Sequence, residues 1–212
     1  MSEPAGKRRP LTFRRLFGLD RSGPPPPETL PDAPLRPWTI PNAIGLVRLI
    51  LIPIFVAVSW NAGGASLTAA GIYAVVAWGD YLDGIAARVT GQYSRMGAML
   101  DPIIDRLLVI SGVIVCWYFE LVPIALLAVL IAREAVMLIG GAVALRRGAQ
   151  IQINWWGRWG VWPALGGIFL AICGARLAAT VMIAIGVLLL IVATVEYYRS
   201  VRTQLAQRTA ST

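Results

Sequence analysis

Apolar residues occur along this chain in long continuous blocks that are separated by short polar connections. Six such blocks lie near residues 39–60, 67–88, 96–118, 121–145, 159–175 and 177–198. Most are long enough for an α-helix to cross the hydrocarbon core of a bilayer, which takes about 20 residues. Because the blocks do not alternate polar with apolar residues, they predict helices rather than the strands of a membrane barrel. The pattern predicts an all-α polytopic membrane protein with six transmembrane helices.

The ends of the chain are more polar and divide it into three predicted parts. Residues 1–36 form a basic tail in which four consecutive prolines, Pro24–Pro27, prevent helix formation. The stretch LTFRRLFGL in this tail is predicted to be either disordered or a short amphipathic helix on the membrane surface. The tail is not a secretory signal, because no apolar core follows its basic residues at the usual distance. Residues 37–202 are predicted to form the membrane domain, and residues 203–212 a short C-terminal tail.

Basic residues are concentrated in alternate connections between the blocks. The N-terminal tail holds seven of them, and the other basic connections and the C-terminal tail hold Arg88, Arg95, Arg146, Arg147, Arg158, Arg199, Arg202 and Arg208. The remaining connections hold only Arg176. By the positive-inside rule, both termini are predicted to be cytoplasmic, in the cell (inner) membrane. The stretch NWWGRWGVW at 154–162 is predicted to be an interfacial aromatic belt around a cytoplasmic loop.

The composition agrees with a membrane protein and narrows the chemistry. Of the 212 residues, 57% are hydrophobic and 14% are charged, against about 25% charged residues in soluble domains. The net charge of +8 is scattered over loops and tails, which favours anionic lipid headgroups over nucleic acid. Cys116 and Cys173 lie in apolar blocks and are predicted to pack rather than to form a disulfide or a zinc site. Because the chain has no histidine, acid–base or metal chemistry must fall on carboxylates.

Four of the six aspartates lie in the stretch GDYLDGIAARVTGQYSRMGAMLDPIIDR, between the second and third blocks. Asp80 and Asp83 are three residues apart, and Asp101 and Asp105 are four apart, so each pair shares one face of a helix. Gly91 lies between the pairs and allows the chain to turn. Two antiparallel helices would therefore direct two carboxylates each towards a common place, at the cytoplasmic end of the segments.

Several carboxylates in one place need a counter-charge, and hard divalent cations such as Mg²⁺ or Mn²⁺ supply it. Two such ions commonly serve phosphate chemistry. Gly84, Ala87 and Gly97 permit close approach of a ligand or tight helix packing, and Arg88 can hold a phosphate. Two alternatives are a buried network of Asp–Arg pairs, for example Asp83–Arg88 and Asp105–Arg106, and a relay for ions. The spacing and the glycines disfavour the first alternative, and the clustering at one membrane face disfavours the second.

The motif residues resemble a known family. The pattern D-x2-D-G-x2-A-R-x8-G-x3-D-x3-D is the signature of the CDP-alcohol phosphatidyltransferases. Here every fixed position is filled, by Asp80, Asp83, Gly84, Ala87, Arg88, Gly97, Asp101 and Asp105. The six-segment layout is also similar, and IPNAIGLVRLILIPIF at 40–55 resembles the first transmembrane segment of the family.

The resemblance implies an activity and a role for each motif residue. Members of the family transfer a phosphatidyl or related group from a CDP-linked donor to a hydroxyl acceptor and release CMP. By this resemblance, the metal ligands of two Mg²⁺ or Mn²⁺ ions are Asp80, Asp83, Asp101 and Asp105. Asp105 is also implied to be the base that deprotonates the acceptor. The CDP-binding residues are implied to be Asp80, Asp83, Gly84, Ala87, Arg88, Gly97 and Asn42, although Asn42 has the alternative of a helix-start role. A homodimer is implied as well.

The sequence indicates the acceptor less specifically than it indicates the family. The first segment and AREAVML at 132–138 resemble the branch of phosphatidylglycerophosphate synthases and cardiolipin synthases. With CDP-diacylglycerol as donor, this implies glycerol-3-phosphate as acceptor, and Arg133 within the fourth block is predicted to bind its phosphate. An alternative for Arg133 is a structural pair with Glu134 or an aspartate. Phosphatidylglycerol is the alternative acceptor, because GRWGVW at 157–162 replaces a lysine-rich stretch of many phosphatidylglycerophosphate synthases. A transporter or a non-catalytic scaffold is the remote alternative.

Overall fold

The computed structural model describes residues 34–146 and 155–210, and these residues form six α-helices without any strand. The helices are α1 (Ile40–Asn61), α2 (Leu67–Thr90), α3 (Arg95–Tyr118), α4 (Ile124–Arg146), α5 (Trp155–Ile172) and α6 (Arg176–Ala210). Each helix coincides with one of the six predicted apolar blocks. The predicted all-α class is therefore confirmed for the part of the chain that the structure describes.

The turn between α2 and α3 follows from local sequence. Gly91 directly follows the last residue of α2 and has a φ of 65°, a left-handed conformation that glycine adopts without a steric penalty. Ser94 then caps the start of α3, because its Oγ accepts a hydrogen bond from the Gly97 backbone N–H at 3.0 Å. These two signals hold the connection between the two aspartate-bearing helices to four residues.

Four helix ends differ from the predicted blocks by three residues or more. Helix α4 begins at Ile124 rather than near 121, after a turn in which Glu120 has a φ of 51°. Helix α5 begins at Trp155 rather than near 159 and ends at Ile172 rather than near 175, so most of the predicted aromatic belt at 154–162 lies in the first turns of this helix. Helix α6 continues through Ala210, beyond the last apolar block. The predicted surface helix LTFRRLFGL and Arg147 lie outside the described residues.

The chain divides into two compact units. The first unit combines the chain up to Ile52 with Val75–Leu107, and therefore contains the start of α1, the end of α2 and the start of α3. Its buried side chains include Arg48, Val76 and Ile104. This unit holds the whole aspartate motif.

The second unit combines Pro53–Ala74 with the residues from Leu108 onwards. In this unit α5 packs along α6, and α4 also contacts α6. The packing of α5 on α6 is close, because a Cβ atom at Gly186 would lie 2.7 Å from the backbone nitrogen of Ala164. Small residues at such contacts are typical of membrane helices, in which dispersion contacts replace the hydrophobic effect.

Two helical stretches in the described part of the chain are long and apolar enough to cross a membrane. They are Ile40–Asn61, with a mean hydropathy of 2.2, and Arg176–Ser200, with a mean hydropathy of 2.7. Large apolar side chains also remain exposed along the helices, for example Ile114 on α3 and Leu188 on α6. An extensive apolar surface of this kind is expected where helices face lipid rather than water.

Candidate active site

The four motif aspartates lie on two consecutive helices of the first unit. Asp80 and Asp83 are in the last three turns of α2, whereas Asp101 and Asp105 are in the first three turns of α3. The burial of these carboxylates differs sharply. The side chain of Asp83 is 7% exposed, while those of Asp80 and Asp105 are 51% and 53% exposed. One carboxylate is therefore held inside the unit, and two are open to an approaching ligand.

A buried arginine on α1 joins the carboxylates. The side chain of Arg48 is only 2% exposed. Its Nη1 donates to Asp83 Oδ2 at 2.9 Å and its Nη2 to Asp105 Oδ1 at 2.8 Å. Nη1 also lies 3.6 Å from Asp80 Oδ1. The Nε–H donates to the backbone carbonyl of Val76 at 2.9 Å, so every nitrogen of the guanidinium has a partner.

The path of the Arg48 side chain depends on a glycine of α2. A Cβ atom at Gly79 would lie 2.6 Å from Arg48 Cδ and 2.7 Å from Arg48 Cγ. These atoms belong to the middle of a buried side chain whose head is fixed by its hydrogen bonds, so they cannot easily move away. Gly79 therefore provides the space through which Arg48 reaches the aspartates.

Sequence reasoning did not single out Arg48, although a signal for it was present. Arg48 is the only charged residue of α1, a helix of 22 residues with high hydropathy. A lone charge within an apolar block is a functional candidate by default, because it must find a partner. The alternative of a buried Asp–Arg network is thus correct in kind, but Arg48 was not among the partners considered.

A cleft of about 190 Å³ lies beside the aspartates in the first unit. The predicted CDP-binding residues that line this cleft are Asn42, Asp83, Gly84, Ala87, Arg88 and Gly97. Asp101 also lines it, whereas Asp80 and Asp105 do not. The structure thus brings most of the predicted nucleotide-binding residues to the wall of one cleft. Their role remains a prediction.

Asn42 uses its side-chain amide within the protein. Its Nδ2 donates to the carbonyls of Arg36 and Pro37 at 3.1 and 3.0 Å, and its Oδ1 accepts from Ser94 Oγ at 2.8 Å. A Cβ atom at Gly97 would lie 2.7 Å from Asn42 Oδ1. The amide therefore ties the segment before α1 to the turn before α3, and the lack of a side chain at Gly97 makes room for it.

The donor chemistry of the aspartates fits a hard divalent cation. Four carboxylates supply oxygen ligands only, and three of them share the single positive charge of Arg48. Three of the carboxylates, those of Asp80, Asp83 and Asp105, lie within 4 Å of the Arg48 guanidinium, however. Among the described residues, no three acidic, histidine or cysteine side chains converge on one ion-sized position. A bound cation would therefore have to share these oxygens with the guanidinium.

Arg133, the predicted acceptor-binding residue, belongs to the second unit. Its Nε donates to Thr194 Oγ1 at 3.2 Å, and its Nη1 forms an ion pair with the adjacent Glu134. The pair with Glu134 agrees with the structural alternative. The side chain of Arg133 is 14% exposed, so most of it is covered by protein.

Comparison with known proteins identifies the family. The sequence model of the CDP-alcohol phosphatidyltransferases matches residues 38–200, which cover well over half of the chain. The chain belongs to the CDP-alcohol phosphatidyltransferase family. The motif of four aspartates and all six described helices fall largely within the matched region. The resemblance inferred from the motif is thus confirmed.

Relatives of this chain carry three different names. A cardiolipin synthase (CMP-forming) of Streptomyces coelicolor is 34% identical over 131 residues, which are 58% of this chain and 60% of that protein. A CDP-diacylglycerol–glycerol-3-phosphate 3-phosphatidyltransferase of Escherichia coli is 35% identical over 130 residues, 57% of this chain and 69% of that protein. A probable phosphatidylglycerophosphate synthase of Mycobacterium tuberculosis is 29% identical over 164 residues, 74% of this chain and 78% of that protein.

The extent of these matches differs between relatives. The chain spans about two fifths to three fifths of the length of the cardiolipin synthases it matches. The match to the mycobacterial phosphatidylglycerophosphate synthase extends further over both chains. The cardiolipin synthases and the phosphatidylglycerophosphate synthase are named for different lipid products.

Proposed function

We propose that this protein is a phospholipid-synthesising enzyme that transfers a phosphatidyl group from CDP-diacylglycerol to glycerol-3-phosphate. The products are phosphatidylglycerophosphate and CMP. The observation that carries the proposal is the complete eight-residue motif. Six of its members line one cleft, and Asp80 and Asp105 contact Arg48 in the same compact unit. The names of the relatives support the reaction class.

In the proposed reaction, the acceptor hydroxyl loses its proton to Asp105 and its oxygen attacks the phosphorus that carries the diacylglycerol. A new O–P bond forms while the bond from that phosphorus to the CMP oxygen breaks, and CMP leaves with the bonding pair. Asp105 suits the role of base, because half of its side chain is exposed while Nη2 of Arg48 fixes one of its oxygens. Such a positioned base typically contributes about 10²- to 10⁴-fold to the rate.

Donor binding is assigned to the cleft beside the aspartates. Gly84, Ala87 and Gly97 leave room for a nucleotide, and Arg88 on the same wall carries a charge that suits its phosphates. Divalent-metal dependence is general in this family. One or two Mg²⁺ or Mn²⁺ ions held by Asp80, Asp83, Asp101 and Asp105 would balance the charge of the pyrophosphate and of the departing CMP.

The membrane arrangement is part of the same proposal. We infer that all six helices span the bilayer, that both termini are cytoplasmic and that the active site opens towards the cytoplasmic side of the inner membrane. The alternating distribution of basic residues supports this orientation. A homodimer is proposed from the family resemblance.

The acceptor is the least constrained part of the proposal. Glycerol-3-phosphate carries a phosphate dianion, and Arg133 is proposed to bind it through Nη2, the guanidinium nitrogen that contacts neither Thr194 nor Glu134. The second candidate acceptor is phosphatidylglycerol, which would make the protein a cardiolipin synthase. Several relatives with that name support this candidate.

An acceptor screen tests the proposal. The purified full-length protein in lipid nanodiscs is mixed with radiolabelled CDP-diacylglycerol, Mg²⁺ and one acceptor at a time: glycerol-3-phosphate, phosphatidylglycerol, inositol phosphate or serine. Release of CMP with glycerol-3-phosphate alone is the expected result. Release with phosphatidylglycerol alone assigns the second candidate. No CMP with any acceptor, in a preparation that binds CDP-diacylglycerol, supports the transporter or scaffold alternative instead.

A further inference from the structure

Arg48 holds a position that the proposed reaction does not explain. It is the only charged residue of α1, its side chain is buried, and its guanidinium contacts carboxylates from both α2 and α3. Its Nε also donates to the Val76 carbonyl, and this hydrogen bond fixes the plane of the guanidinium. Such a fork with three fixed nitrogens holds its carboxylates in one geometry, which a lysine ammonium does not.

The charge of Arg48 opposes that of any added cation. Three of the four aspartates lie within 4 Å of its guanidinium, at 2.8 to 3.6 Å. A divalent cation that binds the same carboxylates therefore meets a like charge, in surroundings where charges interact more strongly than in water. The guanidinium also occupies an oxygen of both Asp83 and Asp105 that a cation would otherwise use.

We propose that Arg48 is the resident counter-ion of the acidic cluster, that it positions Asp83 and Asp105 and that it lowers the affinity of the cluster for divalent cations. In this role Arg48 is a positioning residue. Arg48 holds the carboxylates together in the absence of a metal. A divalent cation and the pyrophosphate donor, when both bind, displace the guanidinium from the carboxylates. The inference rests on the proposed function in that the cluster is taken as the metal-binding part of a phosphatidyltransferase.

Removal of Arg48 has two opposite consequences under this proposal. Without a metal, Arg48→Met leaves the carboxylates to repel one another and the Val76 carbonyl without its donor, so the protein becomes less stable. With a metal, the cation replaces the lost charge, so it binds more tightly and restores stability. A residue with a purely structural role would lower stability equally under both conditions.

The test measures Mn²⁺ binding directly, by electron paramagnetic resonance of the full-length protein without any CDP-linked lipid. Arg48→Met is expected to bind Mn²⁺ roughly tenfold or more tightly than the original protein. In EDTA its melting temperature is expected to fall by about 5 °C or more, and saturating Mn²⁺ is expected to recover most of that loss. Arg48→Gln retains an amide donor without the charge and should show the same changes. It replaces Arg48→Met in the test if that variant does not fold.

Four control variants separate charge from geometry. Arg48→Lys keeps the charge and should bind Mn²⁺ within about threefold of the original protein. Gly79→Ala keeps the arginine but displaces its stem, and should lower the melting temperature in EDTA. Gly71→Ala on the same helix, where a Cβ atom would meet nothing within 4 Å, should not lower it. Arg202→Met removes an exposed arginine of the second unit and should leave Mn²⁺ binding unchanged.

Unchanged or weaker Mn²⁺ binding in both Arg48→Met and Arg48→Gln would overturn the proposal. So would an equal loss of stability with and without Mn²⁺. Because the binding measurement needs no turnover, it is independent of the acceptor screen. If Mn²⁺ binding changes as expected but no CMP is released, the role of Arg48 is supported and the proposed function is contradicted.

Discussion

Nη2 of Arg48 donates a hydrogen bond to Oδ1 of Asp105 at 2.8 Å, across 57 positions of sequence. The same guanidinium donates to Asp83, which lies on a different helix. The candidate base is therefore fixed by an arginine from α1, a helix that carries none of the motif. This relationship suggests that the first apolar segment contributes to the chemistry as well as to the membrane anchor.

Removal of divalent cations is expected to abolish the transfer of the phosphatidyl group. Three of the four carboxylates share the single positive charge of Arg48, and a divalent cation would add the positive charge that an anionic donor needs. CMP release should fall to background in EDTA and return when excess Mg²⁺ or Mn²⁺ is added. Ca²⁺ serves as the control for a non-specific effect of ionic strength. Full activity in EDTA would contradict metal dependence.

Asp105→Asn is expected to lower kcat by about 10²- to 10⁴-fold while the donor is still bound. The amide retains the shape of the carboxylate and still accepts from Arg48, but it does not take a proton at neutral pH. The measurement is kcat together with equilibrium binding of CDP-diacylglycerol. Asp80→Asn should weaken donor binding as well as turnover. Asp32→Asn, which lies outside the region matched by the family model, is the matched control. A near-normal kcat in Asp105→Asn would show that Asp105 is not the base.

Gly97→Ala is expected to raise the KM for CDP-diacylglycerol about tenfold or more. A Cβ atom at this position would lie 2.7 Å from Asn42 Oδ1 and 3.2 Å from Ser94 Oγ, so the wall of the cleft must shift. Overpacking of this kind typically costs about 1–3 kcal/mol in the free energy of unfolding. Steady-state kinetics and thermal unfolding check both effects. Gly71→Ala is again the control, and equal behaviour of the two variants would argue against a tight contact at Gly97.

Arg133→Ala is expected to raise the KM for glycerol-3-phosphate about tenfold to a hundredfold and to leave the donor KM nearly unchanged. Loss of a hydrogen bond to a charged group costs about 1.5–3 kcal/mol. Arg133→Lys should recover part of the loss, because an ammonium lacks the fork of the guanidinium. Thr194→Val removes the hydroxyl that accepts from Nε and should produce a smaller increase. If neither the donor KM nor the acceptor KM changes in Arg133→Ala, Arg133 has only the structural role of pairing with Glu134.

Much of the fold followed from local sequence. Six apolar blocks predicted six helices, and Gly91 and Ser94 account for the short turn that brings the two aspartate pairs together. The i,i+3 and i,i+4 spacings placed each pair on one helical face, because the period of an α-helix fixes which residues are neighbours. The start of α5 was misplaced, since an aromatic, glycine-containing run is compatible with both a helix and an interfacial loop.

The sequence by itself determined the helices, the motif and the family of this protein, because these depend on periodicity and on fixed local spacing. Only the tertiary structure decided which residue balances the aspartates. Arg48 reaches Asp105 because Gly79 leaves space beside α2, and no local pattern specifies such a contact between three helices. The tertiary structure also directed the Asn42 amide to Ser94 and to two backbone carbonyls. Hydrogen bonds between distant segments form only when packing brings their donors and acceptors together, and spacing along the chain does not encode that proximity.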